Sequence, residues 1–286
     1  MSDSEDTLGG VPLVEAVSDS GTPPPQSANK RKRSEEDANP TSKRAGKKQK
    51  QKQTKKPKDV DNDALDTDLG INHAIAHMDS KLLADHLAQR TKRFQPSLSS
   101  VEAEDLQIPD QAIKDTINFT KSRATENLAD YVELYAAPRR KKRKGPRLSE
   151  ASQLKGCPHT LVVAAAGLRA ADLTRALRRF QTKECMVAKL FAKHIKMKEA
   201  VETVQSARLG IGIGTPQRII DLLDNGALKA NLLERIVIDA SHIDQKKRGV
   251  LDMKETQGPL VQLLARKEFM NRYGIDGEQK IELLFY

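Results

Sequence analysis

From about residue 156 onward, short apolar runs alternate with amphipathic stretches. The runs "HTLVVAAAG" (159–167), "ECMVAKLFA" (184–192), "RLGIGIGTP" (208–216), "ERIVIDASH" (234–242) and "KIELLFY" (280–286) are continuous and mostly rich in branched side chains. Strands buried on both faces of a sheet read this way. Between them, "LRAADLTRALRRF" (168–180), "KMKEAVETVQSA" (196–207), "QRIIDLLDNGAL" (217–228) and "GPLVQLLARKEFMNRYG" (258–274) read as helices. The alternation predicts a three-layer α/β lobe of ~130 residues, with a mostly parallel sheet covered on both faces. Its span is 151–286.

Ahead of the lobe the period is helical. "DSKLLADHLAQRTKRF" (79–94) sets Leu82, Leu83 and Leu87 on one face behind an Asp79 N-cap. Ser99 and Glu102 stand at capping-box spacing. "SRATENLADYVELYA" (122–136) repeats apolar residues at Leu128, Tyr131, Val132 and Tyr135 before Pro138 ends it. Residues 61–138 are therefore expected to be a helical region that packs on the lobe or on a partner. Residues 21–59 offer almost nothing apolar to offset the entropy of ordering them, and 1–60 are expected to be a disordered tail.

Charge sharpens these divisions. Of a formal net +10, residues 30–58 contribute thirteen Lys/Arg against three acids, whereas 59–138 carry fifteen acids against seven bases. The basic linker 139–150 opens with "RRKKRKGPR". Lys30, Arg31, Lys32 and Arg33, and again Arg139, Arg140, Lys141, Lys142, Arg143 and Lys144, suit nuclear import and also phosphate contact. Cys157 and Cys185 form no paired motif, and a reduced compartment is the simpler expectation. No apolar run approaches the roughly 20 residues that cross a bilayer, and the start lacks the pattern of a secretory signal. A soluble intracellular protein is expected. His73 and His77 stand one helical turn apart with His86 not far away, but the Glu of an H-E-x-x-H site is missing, so no metal is expected.

In parallel sheets, ligands gather at the C-terminal strand ends. Three segments fall there: Arg169 at the start of a helix, Thr215-Pro216-Gln217-Arg218, and Asp239-Ala240-Ser241-His242. A strand ending in Thr-Pro-x-Arg, about twenty residues before a strand ending in an acidic box, resembles the first RecA-like lobe of DEAD-box RNA helicases. The resemblance implies that Thr215, Arg218 and Arg169 contact RNA phosphates, with Gln217 standing where that family has Gly. The hydrolytic parts are missing. Phosphoryl transfer needs a G-x-x-x-x-G-K-[ST] cradle. The one Lys followed by Ser or Thr is Lys121, and Thr120 precedes it. Ala240 stands where the box has its Glu and His242 where it has its last Asp. A P-loop-less lobe without catalysis, cofactor or small-molecule substrate is expected.

"KLFAKHIKMKEAV" (189–201), "GIGTPQRI" (212–219) and "IDQKKRGVLDMKE" (243–255) resemble the CMS-one family, and "AIAHMDSKLLADHLAQRTKRF" (74–94) its fungal members. The resemblance covers about 73–286. It implies a nuclear, nucleolar factor that works on early small-subunit precursors with pre-ribosomal RNA, small nucleolar RNA and assembly proteins. A nuclear regulator of DNA replication and the cell cycle, acting through protein partners, is the alternative.

Overall fold

The computed structural model describes residues 64–136, 147–192, 195–274 and 280–286, all within one compact unit. A small antiparallel pair, β1 (Leu65–Asp66) and β2 (Ile71–Asn72), comes first. Helices α1 (Ser80–Phe94), α2 (Ser100–Asp105) and α3 (Leu128–Tyr135) follow. The lobe then runs β3 (Thr160–Val163), α4 (Gly167–Leu177), β4 (Met186–Leu190), α5 (Met197–Ser206), β5 (Leu209–Gly214), α6 (Pro216–Asp224), β6 (Arg235–Ile238), α7 (Lys254–Leu264), α8 (Lys267–Met270) and β7 (Glu282–Phe285).

The five lobe strands lie in the order β4-β5-β3-β6-β7, and every neighbouring pair is parallel. The predicted three-layer α/β class is the observed one. Successive strand residues divide between two cores, as the period of two requires. Leu161, Val163, Ile236, Ile238, Leu283 and Phe285 face a core shared with α1, α5, α6 and α7. Val162, Ile211, Ile213, Val237 and Leu284 face a second core shared with α3 and α4. Along β5 the glycines hold the tighter face. A Cβ on Gly212 would stand 2.7 Å from a Leu190 methyl, and one on Gly214 would stand 1.9 Å from the Leu190 carbonyl oxygen. The Gly-Ile alternation is thus a packing device for a central strand.

The helical region docks on the lobe. Leu83, Ala84 and Leu87 of α1 join the first core, while Gln257 Nε2 donates to Thr91 Oγ1 at 2.8 Å and Arg90 pairs with Asp252 at 3.1 Å. On the other face α3 buries Leu128, Ala129, Tyr131 and Val132 against α4. Between them, Lys114 N–H donates to the Leu283 carbonyl at 2.8 Å and covers the outer edge of β7. Asp79 caps α1, and Ser99 and Glu102 form the expected capping box on α2.

Two elements differ from expectation. The helix expected over 258–274 begins at Lys254, takes Pro259 into its interior and breaks at Arg266, whose backbone is extended. The break lets Phe269 and Tyr273 turn into the core, and Tyr273 Oη donates to the Leu264 carbonyl at 2.8 Å, satisfying the end of α7. His73–His77 is a 3-10 turn, not an α-helix, with His73 facing Asp66 at 3.7 Å. Among the described residues no acidic, His or Cys cluster forms a metal site, and no helix is long and apolar enough to cross a membrane. The tail and the tracts Lys30–Arg33 and Arg139–Lys144 lie outside the described residues.

Candidate functional site

The site is the row of loops leaving the C-terminal ends of β5, β3 and β6. At the end of β5, Thr215 is the N-cap of α6 and Pro216 its first residue, where the missing N–H costs nothing. No side chain accepts from the first-turn N–H groups. Gln217 is exposed and its amide donates to Asp221 at 2.8 Å. The half-buried Arg218 guanidinium lies 3.3 Å from the Ile195 carbonyl and from Met197 Sδ, and so ties the start of α5 to α6.

At the ends of β3 and β6 the predicted residues meet each other. Arg169 grips Asp239 with both ends of the guanidinium, Nε to Oδ2 at 2.7 Å and Nη2 to Oδ1 at 2.9 Å. Its third nitrogen donates to Thr125 Oγ1, from the helical region. The Asp239 side chain is 2 % exposed and that of Arg169 10 %. Burial opposes the charge on Arg169, but the hydrogen bond and charge of Asp239 outweigh it, so its pKa is raised. Bidentate Arg–carboxylate pairs are among the stronger charge-assisted contacts. The structure therefore brings Arg169 to Asp239 and leaves Thr215 to Arg218 apart from both.

The rest of the degenerate box is tied down by backbone. The N–H groups of Ala240 and Ser241 both donate to the Tyr286 carbonyl at 2.7 Å, and the Ser241 carbonyl accepts from Asn72 at 2.6 Å. His242 bridges to Ile71. Burial, then the charge of Arg169, lower the His242 pKa. A cavity of about 380 Å³ adjoins this segment, with Arg169, His242, Asp244, Arg248 and Glu255 in its lining.

Residues 116–131 seal the ends of β6 and β7. Tyr131 Oη donates to the Phe285 carbonyl at 2.9 Å, Arg123 donates to the same carbonyl, and Tyr286 Oη donates to the Ala124 carbonyl at 2.6 Å. Phe119, Tyr131 and Tyr286 stack edge to face. A nucleotide-bound Mg²⁺ does not fit here, because both Asp239 oxygens are held by a guanidinium and the carboxylate is buried. Thr125, Arg123 and Tyr131 were not foreseen as partners of the strand-end groups, since no local pattern links residues 44 to 162 positions apart.

Layer order and strand-end loops define a three-layer α/β lobe whose acidic strand end is closed on itself. The family described as CMS1, U3-containing 90S pre-ribosomal complex subunit, matches residues 26–286, and the chain belongs to it. Protein CMS1 of Chaetomium thermophilum is 53 % identical over 232 residues, covering 81 % of this chain and 90 % of that protein. Protein cms1 of Schizosaccharomyces pombe is 29 % identical over 204 residues, 71 % of this chain and 69 % of that one. Among solved structures, a DEAD box protein from Methanococcus jannaschii is similar at 12 % identity with a TM-score of 0.29, covering 46 % of this chain and 32 % of that one.

Proposed function

We propose that this chain is a non-catalytic member of early small-subunit precursor particles, working in the nucleolus and holding pre-ribosomal or small nucleolar RNA by its phosphates. Membership of a 90S pre-ribosomal family supports the setting and favours it over a role in DNA replication. The observation that carries the non-catalytic part is the Arg169–Asp239 pair: the one acid left from the box is neutralised inside the fold. The missing phosphate cradle in the sequence agrees with it.

In this proposal the tracts 30–58 and 139–147 supply affinity without sequence preference. The first turn of α6, with Thr215 and Gln217 at its start, offers backbone N–H groups to a phosphate. Arg169 serves the fold and is left out of the contact set.

Crosslinking of the tagged chain in cells, followed by identification of the attached RNA, tests the proposal. Ribosomal-precursor or small nucleolar RNA is expected. Replication proteins recovered without RNA would contradict it. So would ATP turnover by the pure chain that Asp239→Asn abolishes.

A further inference from the structure

The stretch between β6 and α7, "IDQKKRG", has no part in the contacts above. It folds into a rigid turn. Asp244 Oδ1 accepts the N–H groups of Lys246 at 2.8 Å and Arg248 at 2.9 Å, and Oδ2 pairs with the Arg248 guanidinium at 2.9 Å. Asp244 N–H donates to the Arg248 carbonyl at 2.9 Å, and Lys247 N–H to the Asp244 carbonyl at 2.8 Å. Lys247 is held at φ +59°, the one positive φ outside glycine among the described residues. Asp244 thus answers Arg248 and fixes the backbone. Lys246 and Lys247 stay exposed, with no acidic partner in ion-pair range among the described residues.

The turn also has a telling place. β5, β3 and β6 are consecutive in the sheet, so the loops at their ends stand in a row. With strands about 4.8 Å apart, the roots of the two outer loops are about 10 Å apart. A stacked strand rising about 3.4 Å per nucleotide crosses that gap in roughly three nucleotides. Leu168, 64 % exposed, stands in the first turn of α4, the helix that follows β3. Paired exposed lysines suit a phosphodiester backbone better than a protein partner, whose interface core is poor in Lys.

We infer that the Lys246–Lys247 turn is a second contact for an RNA backbone that runs from the start of α6 across the ends of β3 and β6. This deepens the proposed function, on which it rests, by giving the RNA a direction over the lobe. The cavity of about 380 Å³ beside the turn would leave room for a nucleotide to swing out of line.

The test uses the full chain and a fluorescent oligouridylate, with affinity measured by anisotropy over a salt series. Lys246→Ala with Lys247→Ala should lower the slope of log K against log salt by about 1.4, two phosphate contacts at about 0.7 each. Changing both to Arg should restore it. Added RNA should also protect Lys246 and Lys247 from acylation in the wild-type chain. If the slope is unchanged and both lysines react equally with and without RNA, while deletion of 30–58 still weakens binding, the placement is wrong and the proposed function stands. If the wild-type chain does not bind the probe, both fall. If polyglutamate protects the two lysines and the RNA does not, an acidic protein segment is the occupant and the inference is overturned.

Discussion

At the ends of β6 and β7 the edge of the sheet is filled by the chain itself. Asp239 is held by Arg169, Arg169 by Thr125, and the Phe285 carbonyl by Tyr131 and Arg123. At the end of β5 no remote side chain caps the strand end. Gln217 is exposed and Thr215 half-buried, while Pro216 is buried and Arg218 reaches back to the start of α5. The two regions began with the same raw material, a parallel strand running into a polar loop. They differ in whether a remote segment supplies partners. A strand-end acid becomes structural when a guanidinium and a covering segment reach it, while a helix start that no side chain caps leaves its N–H groups open.

The largest effect should come from breaking the filled region. Arg169→Met strands a buried carboxylate and should cost about 3–5 kcal/mol, read from the urea midpoint. Adding Asp239→Leu should recover most of it, since it is the unpaired charge that is costly. A single variant as stable as wild type would mean the pair does not hold this region. Tyr131→Phe removes one hydrogen bond to the Phe285 carbonyl and should cost about 1 kcal/mol, with faster amide exchange confined to 116–131 and β7.

Acid gives a finer cut. In the fold, burial and Arg169 disfavour the charged form of His242, so the unfolded chain binds the proton more readily. The stability it contributes is complete above about pH 6.5 and is lost as pH falls below that value. His159, pushed down to about 3 by burial and then by Arg235, adds to the same acid limb. His242→Gln should therefore shallow the fall in melting temperature below about pH 6.5 without removing it, and the amides of 239–242 should lose their acid sensitivity. Smallest of all, Thr215→Ala and Gln217→Ala should change stability by less than about 0.5 kcal/mol, because the one side-chain hydrogen bond they make, Gln217 to Asp221, is exposed and within the helix. A larger loss would mean the end of β5 is also structural.

Much of the architecture was legible in the chain because it is written locally. Five apolar runs became five strands, and Asp79 and Ser99 marked helix starts where the structure has them. The break at Arg266 was not legible, since its cause is tertiary: Phe269 and Tyr273 find the core only if the helix stops. The loops at the strand ends were located correctly, but their connections were not. Arg169 carries the same local signal whether it faces solvent or an acid seventy residues away. The "DQKKR" turn did carry a signal, the Asp at its start, whose side chain accepts from the backbone two residues on.

The covering of β7 by residues 113–131 also dictates an order of events when the protein is made. Arg123 and Tyr131 meet carbonyls 162 and 154 residues further along. While the ribosome is still producing the lobe, those side chains have nowhere to settle, and Phe119 waits with them. Docking of this segment must follow translation of β7, so α3 is secured late although it precedes the whole lobe.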